Sequence, residues 1–421
     1  MPVPATRRTA VMITSSYPRF PGDSVGAFME PIAKGVAARG HEVHVVLPWH
    51  PRWRREPSED GVHFHPFRYA PLAGLNVFGY AAAMRADVSL RAAAVAAAPL
   101  ALAAGWRCTR RVARQYRASV VHAHWVVPGG VIGAAAAGEL PLVISLHGSD
   151  VFVAERHGLV GRAARAAFRR AAWVTACSAD LRDRAVALGA RPDRITVVPY
   201  GVDGGRFRPD PAWRTAGRRV IGVGEDVPLV FSYGRLVEKK GFAFLIAAAE
   251  MLKSEVPAFR VAIAGQGDLG AALRAQAAAA GLADRIVWLG EVPHDVVPSL
   301  LAAADVAVVP SIHDTSGNVD GLPNTALEAM ASGTALVATG VGGLGSVAAD
   351  GLTARLVPER DARALANAIA DLLNDPERRQ SLGRRARDMI CGEYSWARVA
   401  ETFESIYDRV GGSTRQASRC P

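Results

Sequence analysis

Residues 311–339 read SIHDTSGNVDGLPNTALEAMASGTALVAT and follow the apolar run ADVAVVPS. That run is short, rich in valine and closed by a proline, which is typical of a buried strand in a parallel sheet. Pro323 and Asn324 favour a helix start, TALEAMA is strongly helix-forming, and Gly333 can end the helix before the apolar run ALVAT. The stretch therefore predicts a strand, a loop, a helix and a second strand of an α/β sheet.

The helix of such a unit points its N-terminus outward at the carboxyl end of the sheet, where unpaired backbone N–H groups favour an anion. Asp320 and Glu328 lie eight residues apart around the turn that opens the helix. Their carboxylates can accept hydrogen bonds from hydroxyl groups of the same ligand, and a sugar nucleotide offers both anion and hydroxyls. The alternative is that Glu328 only interacts favourably with the helix dipole and that Asp320 is an ordinary turn residue.

Length and composition indicate a globular chain of two or three domains, with 421 residues and 50% hydrophobic content. The net charge is +10, but arginine greatly outnumbers lysine, so we treat the charge as a compositional bias and expect no nucleic-acid partner. The four cysteines show no paired spacing, and the apolar run near the N-terminus is too short for a signal peptide. A cytoplasmic location is therefore expected.

One segment leaves a membrane contact open. Residues 92–106, AAAVAAAPLALAAGW, carry no charge but are too few to span a bilayer and are interrupted by Pro99. The following residues place arginines on one stripe of a helix: Arg107, Arg110, Arg111, Arg114 and Arg117. Two interpretations remain: a buried helix followed by a solvated one, or a peripheral contact with the anionic inner face of the plasma membrane.

Short β-like runs alternate with alanine-rich helical runs in both halves of the chain. The runs are TAVMITS, HEVHVVLP, SVVHAHW, LPLVISLHG, AWVTACS and ITVVPYG, then PLVFSYGR, FRVAIAGQG, RIVWLGEV, DVAVVPS, TALVAT and TARLVP. This alternation predicts right-handed βαβ crossovers and a doubly wound parallel sheet in each half. We therefore expect an α/β protein with two Rossmann-like domains that face a central cleft.

Composition also predicts the domain boundaries. Residues 203–227 are rich in glycine, proline and charge and show no apolar period, whereas Trp396 to Val410 show one apolar stripe. The predicted parts are an N-terminal domain at 1–203, a linker at 204–228, a C-terminal domain at 229–392, a helix at 393–410 that packs back across the domains, and a flexible tail at 411–421.

Further candidate residues follow other strands. Arg235 and Lys240 flank a turn at the same carboxyl edge as Asp320 and can neutralise a diphosphate, with a solvated charge pair as the alternative. Gly265, in GQGDL, forms a turn that serves sheet topology or, as the second interpretation, contacts a ligand phosphate. We count these residues, with Glu328, on the side that would bind the sugar nucleotide.

In the first half, His147 and Asp150 leave one strand end and His124 leaves another. No carboxylate lies near enough to His124 in the sequence to complete a metal site, so no metal is expected. Gly22 and Gly26 follow the first strand and can turn backbone amides toward a ligand at the next helix N-terminus. We assign Gly22, Gly26, His124 and Asp150 to binding of a second substrate, an acceptor, and call them the acceptor side.

The sequence resembles the retaining GT-B glycosyltransferases of family 4 over residues 12–410. The resemblance rests on LHGSDV, VVPYGVDGGRF, YGRLVEKKGF, AGQGDL and DGLPNTALEAMASG. It implies that Arg235 and Lys240 bind the donor diphosphate. Glu328 is then the ribose-binding acid and His147 contacts the transferred sugar. The backbone of the turn is implied to touch phosphate and sugar, at Gly321, Leu322, Pro323 and Asn324.

The resemblance implies that Asp320 faces the transferred sugar. The family usually has glutamate at this position, and the shorter aspartate reaches less far toward the sugar, so the choice of donor is open to change. The resemblance implies that a hexosyl unit moves from a nucleotide-diphosphate sugar to an acceptor hydroxyl, with retention and without a cofactor. The acceptor expected is a lipid-linked saccharide of surface polysaccharide or glycolipid synthesis. Two alternatives remain: a sugar-nucleotide epimerase of the same architecture, and a non-catalytic scaffold member of the fold.

Overall fold

The computed structural model describes residues 7–23, 25–80, 84–85, 89–90 and 92–417. Two compact units form, one from Met1–Pro199 with Trp396–Pro421 and the other from Tyr200–Ser395. The strands are β1 Thr9–Ile13, β2 Glu42–Pro48, β3 Ser58–Glu59, β4 Val62–Phe67, β5 Met84–Arg85, β6 Ser89–Leu90, β7 Val120–His124, β8 Leu142–Leu146, β9 Trp173–Ala176, β10 Ile195–Val197, β11 Leu229–Tyr233, β12 Arg260–Ala264, β13 Ile286–Gly290, β14 Val306–Val309, β15 Ala335–Thr339 and β16 Arg355–Val357. The helices are α1 Met29–Ala38, α2 Ala92–Gln115, α3 Val131–Ala136, α4 Ser149–Arg156, α5 Gly158–Arg170, α6 Ala179–Ala187, α7 Pro211–Ile221, α8 Phe242–Leu252, α9 Gly270–Ala279, α10 Val297–Ala303, α11 Asn324–Ala331, α12 Ala362–Asn374, α13 Pro376–Glu393 and α14 Trp396–Ala417.

In the first unit, the strands of the described ranges form an eight-stranded sheet in the order β10-β9-β8-β7-β1-β2-β4-β3, parallel except at the β3–β4 pair. The central β1 places Met12 beside Val45 of β2 and His122 of β7. The six apolar runs predicted here are all strands. β4 was not predicted, because its sequence VHFHPF interrupts the apolar residues with two histidines and a proline.

Alternate residues of the central strands face two helix layers, as the pleat of a strand requires. Met12 packs in the cluster that includes α1 and α14, whereas Val11 packs with Val112 of α2. α3 lies beside α2 and α5 lies beside α3 on that second face. None of the helices in the described ranges has both the length and the apolarity needed to cross a bilayer.

The predicted C-terminal helix is α14, which packs on α1 and belongs to the first unit. It extends to Ala417, beyond the predicted end at Val410 and into the segment predicted as a flexible tail. The rest of that predicted tail, residues 418–421, lies outside the described residues.

In the second unit, the described strands form a six-stranded parallel sheet in the order β13-β12-β11-β14-β15-β16, and each matches a predicted run. α8 and α12 cover one face, where Leu245 and Ile369 pack against Val230 and Val261. The strand order reverses at β11, since β12 lies on one side of it and β14 on the other. Ligands of open α/β sheets bind at such a reversal.

The segment predicted as a linker, residues 204–228, instead contains α7 and belongs to the second unit. The side chain of Asp210 caps the helix by accepting two backbone N–H groups, and Gly222 ends it with φ 78°. Arg218 of α7 is 1% exposed and pairs with Asp305 at 2.9 Å. The prediction missed this helix because its charged residues hide the apolar period, although both caps are visible in the sequence.

Candidate functional site

The loops that follow β11 and β14 meet at the carboxyl edge of the second sheet. Lys240, in the first loop, places its Nζ 2.8 Å from Oδ2 of Asp320, in the second. Gly241 makes this approach possible, because it has φ 66° and a Cβ atom there would lie 1.8 Å from the carbonyl oxygen of Pro310. Two residues that the sequence predicted at one edge are therefore adjacent in the fold.

Asp320 is 9% exposed and lies among donors. Ser311 Oγ donates to Oδ2 at 3.0 Å, and Lys239 Nζ lies 3.6 Å from Oδ1. Burial alone raises the pKa of this carboxyl, but Lys240 and Lys239 together hold the pKa well below its usual value. Asp320 is thus an ionised counter-ion for two lysines, while its predicted contact with a sugar stays a prediction.

The turn at Gly321, Leu322 and Pro323 is buried, and α11 begins at Asn324 immediately after it. The first N–H groups of α11 have no partner within the helix, so this end can bind an anion. Glu328 is the fifth residue of α11, and its side chain is 12% exposed. The anion-binding helix end and the candidate ribose-binding acid therefore lie on the same helix.

Glu328 has two partners that the sequence did not reveal. The hydroxyl of Tyr233, at the end of β11, donates to Oε2, and Nε2 of His294 lies 2.9 Å from Oε1. His294 is a single histidine in the loop between β13 and α10, with no motif around it. Only the folded chain brings these three side chains together.

Gly265 holds the loop after β11 in place. It has φ 137°, and a Cβ atom there would lie 1.8 Å from the carbonyl oxygen of Gly234. This close approach supports the topological interpretation of the glycine, and its phosphate contact stays a prediction. Arg235, which follows Gly234, is exposed on the same loop.

In the first unit, His147 follows β8 and His124 ends the neighbouring β7. His147 Nε2 lies 3.0 Å from His124 Nδ1, and the rings of Phe28 and Trp125 are each 4.7 Å from the His147 ring. Burial, assisted by His122, lowers the pKa of His147 to about 3, so its imidazole is neutral at pH 7. A neutral imidazole can donate or accept one hydrogen bond with a sugar hydroxyl.

Two residues of the acceptor-side prediction, His124 and Asp150, are buried and have partners within the protein. His124 is fully buried and its Nδ1 bonds to His147, so its ring supports His147, while a contact of His124 with an acceptor stays a prediction. Asp150 is 4% exposed, and its carboxylate accepts the backbone N–H groups of Val126 at 2.7 Å and Gly148 at 3.1 Å. Both residues therefore fix the backbone and ring of the His147 loop.

The two glycines predicted on the acceptor side lie in the loop between β1 and α1. Gly22 is exposed with φ 83°, and Gly26 has φ 68° with the Ser16 hydroxyl 2.9 Å from where its Cβ would lie. Both adopt the left-handed backbone that favours glycine. A ligand contact at either residue stays a prediction.

The chemistry available at these sites is charge binding and hydroxyl binding. The ranges that the structure describes hold no group of three histidine, cysteine or acidic side chains placed to hold a metal ion. Lys240 and the start of α11 favour an anion, Glu328 accepts hydroxyl protons, and His147 is a neutral partner.

Comparisons with known proteins show the family of the chain. Residues 214–389 match the family described as glycosyl transferases group 1, and residues 25–206 match the one described as glycosyltransferase family 4. The glycogen synthase of Mycobacterium tuberculosis strain H37Rv is 30% identical over 422 residues, which cover 96% of each chain.

A GDP-mannose-dependent alpha-(1-6)-phosphatidylinositol monomannoside mannosyltransferase of Mycolicibacterium smegmatis is 34% identical over 274 residues, covering 63% of this chain and 70% of that protein. The crystal structure of Anabaena HepE in complex with UDP-glucose shares the fold, with a TM-score of 0.76 at 20% identity and coverage of 96% and 100% of the two chains. Since the match to the glycogen synthase spans almost the whole of both proteins, the chain belongs to the GT-B glycosyltransferases of family 4, glycosyl transferases group 1.

Proposed function

We propose that this glycosyltransferase moves a hexosyl unit from a nucleotide-diphosphate sugar to an acceptor hydroxyl with retention of anomeric configuration. The observation that carries the proposal is the carboxyl edge of the second unit, where Lys240, the start of α11 and Glu328 lie together. The second unit binds the donor and the first unit binds the acceptor. The GDP-mannose dependence of the M. smegmatis relative supports a nucleotide-sugar donor.

Departure of a nucleoside diphosphate places growing negative charge on the β-phosphate oxygens. Arg235, Lys240 and the N–H groups at the start of α11 stabilise that charge, which lowers the barrier to breaking the bond between sugar and phosphate. Asp320 orients Lys240 through their 2.8 Å contact and faces the sugar with its remaining acceptor capacity.

Retention follows from attack on the face that the leaving group vacates. The leaving phosphate oxygen takes the acceptor proton as the new glycosidic bond forms, so no protein base is required. The low pKa of His147 supports this role assignment, since a group with a pKa of about 3 is a poor base at pH 7. His147 instead holds a hydroxyl of the transferred sugar.

A lipid-linked saccharide is the acceptor that we propose, with the enzyme held at an anionic membrane surface. On α2, Val95 and Leu100 are 55% and 59% exposed, and an arginine stripe lies further along the same helix. Among the described residues, Arg107, Arg110 and Arg114 have no ion-pair partner. The phosphatidylinositol-containing acceptor named for the M. smegmatis relative supports the same class of acceptor.

The test compares the wild type with Glu328→Ala and Lys240→Ala, using UDP-, GDP- and ADP-sugars in the presence of EDTA. Thermal shift reports donor binding, and release of free sugar reports slow donor hydrolysis. We expect one nucleotide to stabilise the wild type and each substitution to weaken binding roughly 10- to 100-fold, the value of a hydrogen bond to a charged group.

Glu250→Ala is the matched control, because Glu250 is an exposed acid on α8 of the same unit. It should bind the donor like the wild type. A wild type that responds to none of the donors would favour the scaffold alternative, and full activity of both site variants would refute the assigned roles.

A further inference from the structure

The carboxylate of Glu328 is held from two sides by side chains of two other elements. Tyr233 approaches Oε2 from the end of β11, and His294 approaches Oε1 at 2.9 Å from the loop after β13. Tyr233 lies 95 positions and His294 lies 34 positions before Glu328 in the chain. The fold therefore assembles this cluster, and no local turn or helix spacing does.

Each partner is itself fixed. The ring of Tyr233 stacks on Phe231 with centroids 5.4 Å apart and an interplanar angle of 9°. Burial and the Glu328 carboxylate raise the pKa of Tyr233 well above 10, so its phenol is a neutral donor. The ring of His294 lies 5.8 Å from Phe207, which is 2% exposed and belongs to the motif VVPYGVDGGRF.

Two donors leave Glu328 with capacity for two more. An ionised carboxylate has about four lone-pair sites, two on each oxygen. Tyr233 and His294 take one site on each oxygen, so one site on each remains for the two neighbouring hydroxyls of a ribose. Because the carboxylate is already oriented, ribose binding does not have to overcome the conformational entropy of a free glutamate side chain.

We infer that His294 is a positioning residue that holds Glu328 in the orientation that recognises the ribose diol of the donor, so that ribonucleotides are preferred over deoxyribonucleotides. The inference rests on the proposed function, in which Glu328 binds the ribose. His294 acts through Glu328 and makes no contact with the reacting atoms. Since Glu328 accepts both bonds, the proton of this contact lies on Nε2 of His294.

The experiment measures dissociation constants for the preferred nucleoside diphosphate and its 2′- and 3′-deoxy forms, with kcat and KM for the donor sugar. The variants are His294→Ala, His294→Gln, Glu328→Ala and the double variant. We expect His294→Ala to weaken ribonucleotide binding about tenfold with kcat little changed, and to reduce the preference over the deoxy forms. His294→Gln should recover part of both, because its amide can donate to Oε1.

The double variant decides whether His294 acts through Glu328. We expect His294→Ala to have no further effect once Glu328 is alanine, since the group that it positions is gone. Asp295→Ala, an exposed neighbour in the same loop, is the control and should leave all values unchanged. An equal loss in both backgrounds, or an unchanged ribose preference in His294→Ala, would overturn the inference.

Failure of the proposed function gives a different result. In that case the wild type binds no nucleoside diphosphate, or Glu328→Ala binds as the wild type does. If wild type and Glu328→Ala differ as expected while His294→Ala equals the wild type, the function stands and the role of His294 is refuted.

Discussion

Asp320 carries its charge where little solvent reaches it. Lys240 at 2.8 Å and Lys239 at 3.6 Å stabilise the carboxylate, and Ser311 donates a further hydrogen bond. The side chains of Lys240 and Lys239 are themselves only 15% and 8% exposed. The opposite charges of the aspartate and the lysines therefore offset the cost of burying each group. The aspartate side chain is thus long enough to place its charge in contact with Lys240.

We expect Asp320→Asn to lower the free energy of unfolding of the second unit by about 3–5 kcal/mol at pH 7, because buried Lys240 loses its counter-ion and Lys239 loses one of its contacts. The folded-state pKa of Asp320 lies below its unfolded value of roughly 4, so its stabilisation is present above that pH and disappears as the pH falls further. Urea unfolding of both proteins between pH 3 and 7 measures the effect.

The difference between wild type and Asp320→Asn should therefore shrink as the pH falls below about 4. Asp268→Asn, which changes an exposed aspartate of the same unit, should show neither the loss nor its pH dependence. A difference that stays constant over the whole pH range would contradict the ion-pair explanation.

The sequence predicted the adjacency of Lys240 and Asp320 because both follow strands that end at the same edge of one sheet. It did not predict His294 or Tyr233, because side-chain contacts depend on loop shape and no spacing in the chain encodes them. The burial of His124 was not predicted for the same reason. A histidine at the end of a strand has a predictable position in the sheet, but the sequence does not show whether a neighbouring loop buries its ring.

Among the elements, α14 shows what an apolar stripe can and cannot predict. Its stripe residues pack in the cluster that includes α1, and Tyr407 is fully buried there. The stripe predicted that the helix docks, but any apolar surface would satisfy it. Polar contacts specify where it docks: Arg39, the residue after α1, pairs with Glu404, and the hydroxyl of Tyr407 lies 2.7 Å from Nδ1 of His122.

We expect Tyr407→Phe to lower the free energy of unfolding of the first unit by about 1–3 kcal/mol, the cost of leaving a buried polar group without its partner. The imidazole of His122 is fully buried, and burial lowers its pKa to about 3, so it cannot compensate by gaining a proton at pH 7. Amide hydrogen exchange in β7 measures the change within this unit.

Tyr394→Phe is the control for the loss of a hydroxyl, because Tyr394 lies in the second unit and is only partly buried. It should leave exchange in β7 unchanged. Equal protection of β7 in Tyr407→Phe and wild type would mean that the contact with His122 contributes nothing to stability.

Over the whole molecule, positive charge is concentrated rather than spread. Residues 92–170, which include α2, α3 and α5, contain ten arginines and three acids, so they carry +7 of the total +10. The sequence did not reveal this concentration, because arginine is frequent along the whole chain. The structure reveals it, because α2, α3 and α5 lie on one face of one sheet.

We expect the triple variant Arg107→Gln, Arg110→Gln, Arg114→Gln to bind vesicles containing anionic lipid roughly 100-fold more weakly, at about 1 kcal/mol for each arginine. Co-sedimentation with phosphatidylserine-containing and neutral vesicles at two salt concentrations measures the affinity. Binding of the wild type should fall with added salt.

The control removes the same charge elsewhere, through Arg378→Gln, Arg384→Gln and Arg385→Gln on the exposed side of α13. If both triple variants lose binding equally, net charge is responsible and α2 is not a membrane surface. Equal binding of the wild type to neutral vesicles would also contradict the proposal.

The position of α14 in the first unit also bears on how the protein is made. α1 leaves the ribosome early, whereas the helix that covers Met29 and Ile32 is translated after the 196 residues of Tyr200–Ser395. At about 5–20 residues per second, that interval lasts roughly 10–40 s. The second unit can therefore complete its fold on the ribosome first, and the N-terminal unit is finished only after α14 has been translated.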